Sequence, residues 1–279
     1  MSLRKLPEIR AEQRLGAAQY DLRPDALERW EPGVHAAAGD DASISIYDTI
    51  GDNWEGTGIT AKRISAALRS IGAKDITVNI NSPGGDFFEG VAIYNLLRAH
   101  PAKVTVQVMG LAASAASVIA MAGDEVLMGE GSFLMVHNAW AVAIGNRHDM
   151  QDAANLLEPF DAAMASLYAS RSGMSKQEAA AMMDAETWLA PDAAIEQGLA
   201  DGLLDSAKVT HAAPAASNRK ALAIVESSMA KAGHTRASRR DTLRNLFSSM
   251  PGAAGQPAMP SAGEETAAQL QTLLTTIRG

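Results

Sequence analysis

Between residues 43 and 111 the chain switches repeatedly between two incompatible hydrophobic periods, and this alternation narrows the folds open to it more than any other feature. The stretches "SISIYDTI" (43–50), "DITVNINS" (75–82) and "KVTVQVMGL" (103–111) are β-branched and strand-like. Between them, "TAKRISAALRSIG" (60–72) and "FFEGVAIYNLLRAH" (87–100) carry helical spacing, with Thr60 as a cap and Gly72 as a stop for the first. Strand, helix, strand, helix, strand implies parallel pairing through right-handed crossovers, so the expected fold class is α/β.

Two short strands are expected next, at "EVLMG" (125–129) and "SFLMVHN" (132–138). A long helix is expected over 147–172, where Met150, Ala153, Leu157, Phe160, Ala163, Met164 and Leu167 recur at steps of three and four. Gly173 ends it, Ser175 with Glu178 forms a capping box for "SKQEAAAMMDA", and "PDAAIEQGLAD" (191–201) closes the folded part. Three regions are expected: an N-terminal arm (1–40), a body (41–205) and a flexible tail rich in Ala, Ser, Pro and Gly (206–279). Within the tail, "RKALAIVESSMAKAG", "RRDTLRNLFSSM" and "EETAAQLQTLLTTI" have amphipathic spacing, and "PGAAGQPAMPSAG" (251–263) reads as a linker.

Composition removes several kinds of chemistry. There is no cysteine, so disulfides, thiolate metal sites and cysteine nucleophiles are excluded. From Ser206 to Gly279 nine Lys and Arg stand against four Asp and Glu, a net of +5; the formal charge of -8 therefore leaves -13 on residues 1–205. An acidic body disfavours nucleic acid as a partner. The opening "MSLRKLPEIRAEQRLG" lacks the apolar centre of about 7–15 residues that an export signal needs. No run approaches the roughly 20 apolar residues that span a bilayer, so the expected location is the cytoplasm.

Two strand-to-helix junctions carry the candidate chemistry. "NSPGGD" (81–86) presents backbone N–H groups at a helix start, and "GLAASAASVIAMAG" (110–123) sets Ser114 and Ser117 three residues apart. Both junctions lie at the carboxyl ends of neighbouring strands, where open α/β sheets place ligands. Ser114 falls at the first helical turn and Ser117 nearly one turn down, so geometry favours Ser114 as the exposed serine. A serine nucleophile needs a base. Of His35, His100, His137, His148, His211 and His234, three lie in the arm or tail and His100 ends a helix on the far side. His137 ends the apolar strand "SFLMVH", while His148 starts a helix. A third group to orient the imidazole is available in "MMDAETWLAP" as Asp184 or Glu186, which residue type alone does not separate.

In order along the chain, "INSPGGDFFEGVAIYNLL", "GLAASAASVIAMAG", "FLMVHNAW" and "TWLAPDAAIEQGLAD" resemble four signature segments of the ClpP family of serine peptidases. The resemblance spans roughly 43–205 and is closest to the phage and prophage head maturation proteases, which share openings such as "IYDTIGDNWEGTGIT" (46–60). It implies a ClpP/crotonase-like fold of repeated β-β-α units with a protruding long helix. It also implies Ser114 as nucleophile, His137 as base, and the N–H groups of Gly85 and Ala115 as the oxyanion hole. The family's triad carboxylate is usually Asp and maps here to Glu186, leaving Asp184 as its rival. No metal or cofactor is implied. The partners implied are a polypeptide, with phage scaffold or capsid protein as substrate, further copies in a heptameric or double ring, and a Clp-type ATPase. A crotonase-like acyl-CoA enzyme and an inactive capsid-assembly protein are the competing readings.

Overall fold

The computed structural model describes residues 19–20, 22–36, 42–53, 58–211 and 216–248. Its N-terminal stretch supplies β1 (Gln19–Tyr20), the short helix α1 (Pro24–Arg29), opened by Pro24 in its first turn, and β2 (Val34–Ala36). The expected alternation follows as β3 (Ser43–Ile46), α2 (Ala61–Ile71), β4 (Ile76–Ser82), α3 (Phe87–Arg98) and β5 (Val104–Ala113). A single turn leads into α4 (Ala115–Ala120), β6 (Glu125–Met128), β7 (Phe133–Met135) and β8 (Ala141–Val142). Then come the long α5 (Arg147–Ser172), α6 (Lys176–Asp184), β9 (Trp188–Leu189), α7 (Pro191–Glu196), β10 (Gly202–Leu203), β11 (Val209–His211), α8 (Ala216–Lys231) and α9 (Arg236–Ser248).

Parallel pairing holds along the main sheet, in the order β10-β6-β5-β4-β3. The fold is thus the mixed α/β type that the periodicities imply. β5 forks: Thr105–Val108 pairs with β6, whereas Leu111–Ala113 pairs with β7, which is itself antiparallel to β9. Successive side chains of a strand point to opposite faces. At this end of β5, Ala112 joins the main core with Ile80, Phe87, Val118 and Leu167, while Leu111 and Ala113 join a second core. The strand that leads into Ser114 is therefore buried on both sides.

Residues of the N-terminal stretch build that second core. Leu22, Ala26, Leu27 and Trp30 pack with Leu111, Ala113 and Met135, and α8 adds Ala223. Asn81, fully buried at the end of β4, joins the layers. Its carbonyl accepts from Trp30 Nε1 at 3.0 Å, its Nδ2 donates to the carbonyls of Glu31 at 2.8 Å and Val34 at 2.9 Å, and its Oδ1 accepts from the Leu111 N–H at 3.2 Å. β2 also pairs with β11, tying the segment before the body to the one after it.

Local details differ from the sequence expectation in informative ways. β3 ends at Ile46 rather than at residue 50, because the chain leaves the ladder so that Ile50 can bond the Gly84 carbonyl (2.7 Å) and the Asp86 N–H (2.9 Å). α5 spans the expected 147–172, yet its apolar stripe is buried only from Phe160 onward; Met150 is exposed, and Pro159 lies inside the continuous helix just before the buried part begins. Helices α8 and α9 occupy the first two amphipathic stretches of the tail. The third stretch and the linker lie outside the described residues. No helix among the described residues is long and apolar enough to cross a membrane.

Trp30 is completely buried, so Trp30→Ala should cost about 3–5 kcal/mol in urea unfolding, the range for emptying an aromatic site. Trp30→Phe keeps most of the volume but strands the Asn81 carbonyl, and should cost about 1–3 kcal/mol.

Candidate active site

β5 ends at Ala113 and α4 begins at Ala115, leaving Ser114 to make the whole turn. It does so at φ 55° and ψ -125°, a conformation that side chains rarely adopt and that costs on the order of 1–3 kcal/mol. Its N–H donates to the Met135 carbonyl at 3.0 Å, and its carbonyl accepts from the N–H groups of Ser117 and Val118. Ser117, by contrast, is fully buried: its hydroxyl donates to the Ser114 carbonyl at 2.6 Å and lies 2.8 Å from the Tyr168 hydroxyl. The two serines therefore separate as expected, Ser114 at the turn and Ser117 as an internal tie.

Room for this turn comes from the glycines of the neighbouring junction. A Cβ on Gly84 would lie 2.7 Å from both the Ala113 carbonyl and the Ser114 Cβ, and one on Gly85 would lie 2.2 Å from the Ile50 carbonyl. Both have positive φ, 94° and 143°. Asp86 caps α3 by accepting from the N–H groups of Phe88 and Glu89, so this helix start binds its own carboxylate. Ala115 is the first residue of α4, so its N–H is one of those for which a helix offers no internal partner.

Gly85, Ser114, Ala115 and His137 line one small cavity, together with Phe87, Trp140 and Met164. At about 20 Å³ it has room for a single water. His137 is buried, and its Nε2 has no hydrogen-bond partner. Burial and then the positive charge of Arg23 push its pKa down to about 4, against the opposing pull of Glu186, the Asn138 backbone and Asp25. The imidazole is thus held neutral, the form in which it can accept a proton.

Two carboxylates fix the chain just past His137. Asp184 accepts from Asn138 Nδ2 at 2.7 Å, and Asp161 of α5 accepts from the Ala139 N–H at 2.6 Å. Burial pushes the Asp161 pKa above the ordinary carboxylate value. Glu186 acts differently: it stands at φ 49° on the turn before β9 and is an electrostatic neighbour of His137. Both of its oxygens are bonded by Arg23, Oε1 at 2.6 Å from Nη1 and Oε2 by Nη2. Arg23 carries no signal of this role in the sequence. "RPDALER" announces a helix start through Pro24 and Asp25, but nothing local links Arg23 to a residue 163 positions away.

A strained serine at a strand-to-helix turn, sharing a cavity with a buried neutral histidine, suits acyl transfer through a serine nucleophile. Residues 36–207 match the family model described as Clp protease. The chain is 30% identical over 169 residues to the ATP-dependent Clp protease proteolytic subunit 1 of Streptomyces avermitilis, covering 58% of this chain and 76% of that one. It is 28% identical over 137 residues to the corresponding subunit of Deinococcus radiodurans (48% of this chain, 67% of the relative). With that of Bacteroides fragilis it shares 32% over 136 residues (47% and 64%). The matched stretch thus spans about two thirds of the latter two relatives. Among solved structures, ClpP1 from Listeria monocytogenes superposes with a TM-score of 0.48 at 22% identity, covering 59% of this chain and 91% of that one. The chain belongs to the Clp protease family, whose members are serine peptidases.

Because folding lowers the His137 pKa from 6.5 to about 4, the unfolded chain binds the proton first as pH falls. The stabilisation is complete above about 6.5 and is lost towards 4, a contribution of about 3 kcal/mol on the scale of 1.36 kcal/mol per unit. The denaturation midpoint of wild type should therefore fall relative to that of His137→Gln as pH drops from 6.5 to 4. Separately, Gly84→Ala should leave the fold largely in place yet cut fluorophosphonate labelling of Ser114 at least about tenfold, because the new methyl collides with the turn.

Proposed function

We propose that the chain is a serine endopeptidase in which Ser114 attacks the scissile carbonyl. His137 takes the hydroxyl proton and returns it to the leaving amine, and Glu186 holds the imidazole in the working tautomer. The N–H groups of Gly85 and Ala115 receive the oxyanion, each worth about 3 kcal/mol on the mutational scale. The observation that carries this reading is that Ser114, His137, Gly85 and Ala115 line one cavity, with the serine at a positive φ. Glu186 is preferred to Asp184 because its charge acts on His137, whereas Asp184 is not among the charges that do.

Its substrate is an extended polypeptide bound by main-chain hydrogen bonds, with loose sequence preference. The resemblance of residues 46–60 to phage openings favours scaffold or capsid protein processed during head maturation in a bacterial cytoplasm. Assembly into rings, with the long α5 between them, would enclose the site, and a Clp-type ATPase is the partner that the relatives' names suggest. On this reading the peptidase unit is 41–205, flanked by the arm and the tail.

A fluorophosphonate probe should label wild type at Ser114 and leave Ser114→Ala unlabelled. Mass spectrometry of a co-expressed capsid or scaffold protein should show fragments with wild type that vanish with Ser114→Ala; identical patterns would overturn the head-maturation assignment. Glu186→Gln should lower peptide hydrolysis by about 10⁴, the cost of losing the orienting carboxylate in a triad. Asp184→Asn should change the rate far less.

A further inference from the structure

We propose that Arg23 is a positioning residue: by pairing with the Glu186 carboxylate it keeps the Ser114–His137 pair latent, and catalysis requires that ion pair to open. The inference rests on the reading of Glu186 as the carboxylate that orients His137.

Three observations carry it. First, the Arg23 guanidinium engages both oxygens of Glu186, Nη1 on Oε1 at 2.6 Å and Nη2 on Oε2, a two-pronged geometry that fixes the carboxylate plane. The fork is itself held from behind, since Arg23 Nε donates to Asp25 Oδ1 at 3.0 Å. Second, His137 Nε2 is buried without a partner. The charged groups acting on that ring are Arg23, Glu186 and Asp25, and Arg23 opposes the imidazolium that a catalytic cycle must form. Third, the segment bearing Arg23 follows a strand paired just downstream of His137: β1 is antiparallel to β8, Gln19 opposite Val142 and Tyr20 opposite Ala141.

The same features make the contact reversible. The Arg23 side chain is 15% exposed but that of Glu186 is 46% exposed, so the carboxylate stands at the edge of solvent. With its carboxylate half exposed, the pair is open to competition from salt and from other charged groups. A polypeptide or a neighbouring protomer that drew Arg23 aside would leave the carboxylate with His137 as its cationic partner during turnover. Arg23 would then act through Glu186 without touching substrate.

The test uses the full chain with a fluorophosphonate probe and a fluorogenic peptide, comparing wild type, Arg23→Lys, Arg23→Gln, Glu186→Gln and the double variant Arg23→Gln/Glu186→Gln. Arg23→Gln should label Ser114 and hydrolyse peptide about 10- to 100-fold faster than wild type, part of the 10⁴ that an orienting carboxylate is worth. Arg23→Lys should stay near wild type. The acid limb of the Arg23→Gln pH profile should move to higher pH, since removing the positive charge lets His137 protonate more readily. The gain should disappear in the double variant. Wild type also reports directly: raising salt from about 0.01 M to about 1 M shortens the screening length from about 30 to 3 Å and should accelerate labelling. The same change should leave Arg23→Gln unmoved, so the proposal stays testable if that variant folds poorly. An unchanged or slower Arg23→Gln, a gain that survives Glu186→Gln, or a salt-insensitive wild type would overturn it. Absence of Ser114 labelling in every protein would instead remove the catalytic reading on which it stands.

Discussion

A serine held where serine does not rest is the constraint on which this molecule is built. At φ 55° and ψ -125°, Ser114 stores backbone strain that has to be offset by its surroundings. The surroundings do this from every side. β5 is packed on both faces up to Ala113, β7 bonds the Ser114 N–H, α4 bonds its carbonyl, and Gly84 lies against it without a side chain to push it away. The forked sheet follows from the same need. Ladder pairing to β6 ends at Val108, and β7 takes over at Leu111 to carry the strand to the cleft and His137 with it.

Electrostatics at the cleft favour a neutral imidazole. His137 sits between burial and Arg23 on one side and Glu186, Asp25 and the Asn138 backbone on the other. Its neutrality is set by burial more than by any single charge. Asp161 contributes by holding the Ala139 N–H and Asp184 by holding the Asn138 side-chain amide, which together restrain the chain just past the imidazole.

Much of this was legible in the sequence, because the deciding signals were local. Period-two runs with β-branched residues gave β4 and β5 nearly residue for residue, the Ser175–Glu178 box gave the start of α6, and Gly173 gave the end of α5. The separation of Ser114 from Ser117 followed from one helical turn. What escaped was non-local. Trp30 and Asn81, 51 residues apart, make a buried tie that no periodicity encodes. The pairing of Arg23 with Glu186 depends on the arm folding back over the body. The exposed first half of α5 escaped for a different reason: an apolar stripe states that a face could be buried, not that anything covers it.

The second core has a consequence for the order in which the chain matures during synthesis. α1 is made almost first, but the patch it packs in is completed by Ala223 of α8, nearly two hundred residues later. Domains emerging from a ribosome fold from the N-terminus as their contacts become available. The parallel sheet and its cleft can close once β10 has appeared, whereas α1 has to wait for α8 before it is fully covered. In a nascent chain the turn at Ser114 can thus form before the segment that bears Arg23 is fully covered.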